Sequence, residues 1–154
     1  MTAPPSKLLL SLVCATLALG CGEPLSPTDV AGTYALERVA GDPLPTVLFG
    51  TDNWRIHVFA ETLRFTSDRR GTIVTVRELE SLVGWPSLGP MRGDNGLGFR
   101  IIDGRIEVAF DCPPSGNCTP PPDLVMRRTA GGLRADSAAE ARTPLLYARV
   151  PSAF

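Results

Sequence analysis

The chain is short of the residues on which most protein chemistry depends. It has one histidine, His57, and one lysine, Lys7. With a single histidine and no second cysteine pair, a Cys/His zinc site fails on ligand count, so no metal or cofactor is expected. There is no Cys-x-x-Cys pair of the redox type. Aromatic residues are 6% of the chain, and 15 prolines argue against a long-helix protein. Net charge is −1, so no basic face invites nucleic acid. No apolar run approaches the ~20 residues needed to cross a bilayer as a helix.

The first segment is the informative one. Lys7 leads into an apolar run of about a dozen residues, Leu8 to Leu19, ending in Gly20-Cys21-Gly22. A basic start, a short apolar core and a small residue before the cut describe a cleaved secretory signal. The cysteine directly after the cut resembles the lipobox of bacterial lipoproteins, with Ala18 where that pattern prefers Leu. The resemblance implies that residues 1–20 are removed and that Cys21 becomes an acylated N-terminus. The alternative is an ordinary cleaved signal with Cys21 as a passenger. Several acyl chains, at about 0.8 kcal/mol per buried methylene, would hold the protein firmly to a bilayer. Gly22, rather than Asp, follows the cysteine. In a host with two membranes, the resemblance then implies the outer one.

Removing residues 1–20 from the 154 leaves 134, a size for one domain. Residues 21–30, with Pro24 and Pro27, read as a lipidated tether, and 31–154 as a single β domain. Cys14 leaves with the signal. Cys112 and Cys118 remain in an oxidising compartment and read as a local structural disulfide across Pro-Pro-Ser-Gly-Asn.

From Ala31 onward the pattern is period two with turn punctuation. Strands are predicted at Thr33–Val39, Trp54–Val58, Thr62–Thr66, Thr72–Glu78, Phe99–Ile102, Arg105–Phe110, Leu124–Arg128, Leu133–Asp136 and Leu145–Val150. Asp103-Gly104 is a type I′ hairpin signal. Asp136–Arg142 can form one helical turn. Ser81–Asn95 reads as the longest irregular segment, and Gly93–Gly98 as a turn, since it lacks the helix and lysine of a phosphate loop. The fold class is all-β: a small antiparallel meander barrel or half-barrel of about eight short strands. Gly32-Thr33-Tyr34, Gly41-Asp42-Pro43-Leu44-Pro45, the late hairpin and the closing Tyr147-Ala148-Arg149 resemble small lipocalin-like bacterial lipoprotein domains of undefined function. That resemblance implies an antiparallel barrel with an apolar interior and carries over no catalytic residue.

No catalytic constellation is visible. Glu78 and Glu80 lie two apart on one strand and read as solvated. His57, between Arg55 and Phe59, has no nucleophile and no orienting carboxylate in the sequence pattern. The expected function is therefore a lipid-anchored binding module of the cell envelope. It would hold a small apolar ligand in the barrel or under the Ser81–Asn95 segment, with Trp54, Trp85 and Met91 as contacts. A structural lipoprotein with a filled core, working through its surface with an unknown protein partner, is the alternative. An enzyme comes third.

Overall fold

The computed structural model describes residues 24–111, 124–137 and 143–151. The signal segment 1–20, Cys21, Cys112 and Cys118 lie outside these residues, as does most of the turn predicted over Asp136–Arg142.

Among the described residues, ten strands make one antiparallel sheet: β1 (Gly32–Val39), β2 (Asp42–Pro43), β3 (Thr46–Gly50), β4 (Trp54–Phe65), β5 (Arg70–Ser81), β6 (Leu88–Ile102), β7 (Arg105–Phe110), β8 (Leu124–Arg128), β9 (Gly132–Ser137) and β10 (Leu145–Val150). β1 pairs with β10 on one side and with β4 on the other, Gly32 opposite Phe65 and Tyr34 opposite Leu63. That second pairing closes β1 and β4–β10 into an eight-stranded antiparallel barrel. Closure removes the free edges that a small open sheet would leave for aggregation.

Eight strands enclose an interior just wide enough for side chains to fill. Here Leu63, Leu97, Ile106, Val108, Met126, Leu133 and Tyr147 meet in one buried cluster. Tyr34, Phe65 and Phe99 stack edge to face at its end, with ring centroids 5.9 and 5.0 Å apart. The outside carries cross-strand ion pairs, such as Arg70–Asp111, Arg100–Glu107 and Arg127–Asp136. This apolar-in, charged-out arrangement is the reverse of a lipid-facing barrel.

Two turns follow directly from residue type. Asp103 and Gly104 both take positive φ, 50° and 71°, as a type I′ turn demands. Gly132 lies so close to β10 that a Cβ there would collide with the Tyr147 carbonyl.

The strand boundaries correct the sequence reading in three places. Trp54–Val58 and Thr62–Thr66 are one strand, β4, with a bulge between Val58 and Ala60. The extra residue shifts the alternation, so that Val58, Glu61, Leu63 and Phe65 are all buried. Ser81–Asn95 is not a loop: β5 runs through Ser81, β6 starts at Leu88, and Gly93–Gly98 lies within β6. The domain also begins before Ala31. Ser26 caps a short helix, α1 (Pro27–Val30), with a capping box to Asp29. Val30 is buried, Leu25 packs against the core, and Tyr34 Oη donates to the Val30 carbonyl at 2.8 Å.

Candidate functional site

Strand lengths decide where a site can form. β4, β5 and β6 have 12, 12 and 15 residues, whereas β7 to β10 have five or six each. At about 3.3 Å per residue, one wall of the barrel overshoots the other by roughly 20 Å. β3 widens this flap by pairing with the upper half of β4, Thr46 opposite Val58 and Phe49 opposite Ile56.

The inner face of the flap continues the inner face of the barrel. Trp54 and Ile56 are in phase with buried Val58, and Leu79 and Ser81 with buried Ile73. With no strand opposite them among the described residues, these residues line an open pocket of about 680 Å³ together with Asn53, Val83, Trp85, Pro86 and Leu88. The volume falls in the range of small-molecule sites, roughly 300–1,000 Å³, and the lining is almost wholly apolar. Phe49 buttresses Trp54 edge to face at 5.4 Å. The turn bearing Trp85 is pinned by three hydrogen bonds. Leu82 N donates to the Asn53 carbonyl at 2.8 Å, Ser81 N to Ser87 Oγ at 3.1 Å, and Trp85 N to Ser81 Oγ at 3.2 Å. Trp85 is thereby held on a fixed turn although 76% exposed.

Below the pocket, the β4 bulge turns one charge into the barrel. Glu61 is 3% exposed at its side chain and accepts from Arg77 Nη2 at 2.7 Å and from Tyr147 Oη at 2.5 Å. Both carboxylate oxygens are thus satisfied, as a buried charge requires. Burial, and then the neighbouring Glu61 carboxylate, hold the Tyr147 hydroxyl well above its usual pKa. Arg77 Nε is buried and without a partner among the described residues.

Of the sequence-predicted contacts, Trp54 and Trp85 come together in the pocket. Met91 does not line it. It sits on β6 opposite Arg77, 52% exposed, farther down the same face. The barrel interior, also considered as a ligand site, is occupied by the core cluster. His57 proves to have an orienting carboxylate after all: its Nε2 lies 2.8 Å from Glu80 Oε2, on the outer face behind the pocket. Arg55 Nη1 approaches the same oxygen at 4.0 Å. Glu61 and Arg77 escaped the sequence reading, and Tyr147 entered it only within the closing Tyr147-Ala148-Arg149 motif. Glu61 fell between two predicted strands, and the only signal was a lone carboxylate between Ala60 and Thr62 in an otherwise alternating run.

The described residues thus define a small closed eight-stranded antiparallel β-barrel with an apolar pocket on an overhanging flap. No protein-family model matches the chain. No curated protein and no solved structure matches it either.

Proposed function

We propose that this protein is a lipocalin-like envelope lipoprotein, anchored in a bilayer through acylated Cys21, that holds a small apolar ligand in the flap pocket. The observation that carries this reading is the pocket itself: about 680 Å³, lined by Trp54, Ile56, Leu79, Val83, Trp85 and Leu88. Concave, largely apolar clefts of this volume are the kind in which small-molecule ligands bind. The entry of the chain supports the same reading. α1 docks beside Tyr34, and Gly32 pairs with Phe65, so the chain enters the barrel at one end of β4 and Trp54 lies at the other. A 12-residue strand spans roughly 40 Å. The pocket would therefore face the aqueous compartment and not the anchoring membrane.

The filled barrel keeps one rival alive, in which the same exposed apolar surface is covered by a second copy of the chain. The test uses the Cys21→Ala chain, so that no detergent competes for the pocket. Its two tryptophans, Trp54 and Trp85, both line the pocket and report on it directly. Titration with a C12 alkane or ester should change their emission saturably, and Trp85→Ala should weaken binding about tenfold. No response, together with a concentration-dependent dimer by sedimentation, would reassign the pocket to self-association.

A further inference from the structure

The outer face of the barrel carries a row of like charges. Arg105 on β7 pairs with Arg127 on β8, and Arg127 pairs with Arg134 on β9. Their strand neighbours Ile106, Met126, Leu133 and Ala135 are buried, so the three arginines point outward, and all three are exposed. Like charges directly opposite one another weaken a sheet. One carboxylate answers the three: Asp136 lies 3.2 Å from Arg127 Nε and 3.0 Å from Arg134 Nε. Glu107, two residues along β7, is taken by Arg100 at 2.6 Å. Arg128, next along β8, and Asp103, in the turn before β7, add one charge of each sign. Three arginines against one aspartate leave two positive charges in this row, on a chain whose net charge is −1. Exposed Ile102 extends the row on β6, opposite Arg105. Guanidinium groups match the oxygens of a phosphate with paired hydrogen bonds. Basic residues edged by an apolar one suit a bilayer surface, where phosphates lie above acyl chains.

The row sits at the end where the chain enters the barrel. Arg149 N donates to the Gly131 carbonyl at 3.1 Å, and Arg149 Nη2 to the Ala31 carbonyl at 2.8 Å. The β8–β9 turn therefore flanks α1 and the start of β1. Arg127 and Arg134 lie within three residues of that turn, roughly 10 Å along the strands. The chain from Cys21 to Ser26 can reach at most about 20 Å. Resting on the acylated anchor proposed above, we propose that the Arg105–Arg127–Arg134 row docks on the anionic phosphate headgroups of the anchoring bilayer. The contact orients the barrel, with the row toward the membrane and the flap pocket toward water.

Vesicle co-sedimentation of the Cys21→Ala chain tests the row without the anchor, comparing phosphatidylglycerol with phosphatidylcholine. An arginine near an anionic surface is worth about fivefold in affinity, so two unbalanced charges should favour phosphatidylglycerol about 25-fold, and less as salt is raised. Arg105→Gln/Arg127→Gln leaves Arg134 paired with Asp136 and should abolish the preference, with an unchanged circular dichroism spectrum. Asp136→Asn unmasks one more charge and should raise the preference about fivefold. Arg55→Gln/Arg92→Gln removes the same charge from the flap end and should leave it unchanged. An equal loss in both double variants would reduce the effect to net charge and overturn the proposal. So would equal binding to both lipids, or binding to soluble dextran sulfate without binding to vesicles, which would make the partner an anionic glycan. Those results would leave the anchor reading intact. Its own test is palmitate labelling: a wild-type chain that takes up no label would remove the anchor, whatever the vesicles show.

Discussion

The lower and upper halves of β4, β5 and β6 belong to the same strands and face the same way, yet they meet opposite fates. In the lower half, Leu63, Ile73 and Leu97 point into the barrel and are buried by strands across the interior. In the upper half, Trp85 on the connecting turn and Leu88 and Met91 on β6 are half exposed or more. The residue types are alike. Among the described residues, what differs is the length of the opposing strands, which are shorter than β4, β5 and β6. Apolar surface that the described residues leave exposed is open to the ligand proposed above. The lower half holds the fold together, the upper half is where the proposed ligand would bind, and the Glu61–Arg77–Tyr147 network marks the line between them.

Mutations should divide along that line. Leu63→Ala or Ile106→Ala, in the barrel, should cost about 2–5 kcal/mol of unfolding free energy in urea, because the closed wall collapses only partly around the cavity. A loss below about 1 kcal/mol would mean that the barrel is less tightly packed than its burial implies. At the boundary, Tyr147→Phe removes the donor to Glu61 Oε1 and should cost about 1–3 kcal/mol, the penalty of an unsatisfied buried acceptor.

The same boundary gives a pH dependence. Tyr34 and Tyr147 are the only tyrosines, and burial raises both hydroxyls above their ordinary 10.0. Above about pH 10 the unfolded chain releases protons that the folded chain keeps, so stability is fully present below that pH and falls as pH rises. Absorbance at 295 nm should show phenolate appearing in the folded protein only above the ordinary range of a free tyrosine, and last for Tyr147. Ionisation near pH 10 with circular dichroism intact would sink this. Smallest of all, Trp85→Ala on the flap should leave stability within about 0.5 kcal/mol of the parent. A loss of about 2 kcal/mol there would place Trp85 in the fold's own core and erase the distinction between the halves.

Legibility in the sequence followed the same division. Period-two patterning is visible only where one face is buried and the other wet. It therefore marked Phe99–Ile102, Arg105–Phe110 and Leu145–Val150, all in the closed barrel, and the Asp103-Gly104 turn between the first two. Over Leu88–Asn95 every residue is exposed, and Gly89, Pro90 and Gly93 interrupt the run, so a strand there carries no alternating signature. In β4 the difficulty was a bulge: one extra residue at Phe59 changes phase, and a continuous strand reads as two. Glu61 was invisible as a buried group because its burial depends on that phase change. Trp54 and Trp85 were legible as a pair of large apolar side chains, but their meeting in one pocket depends on the β4–β5 pairing, Trp54 opposite Ser81.

The central claim is that the flap, and not the barrel, holds a ligand. The most direct test is a native mass spectrum of the Cys21→Ala chain purified gently, without detergent, from the periplasm of an expressing bacterium. The account predicts extra mass that leaves on denaturation and that is missing from a Trp85→Ala chain of equal stability. A bare chain that takes up neither an alkane nor an ester when these are added would contradict it.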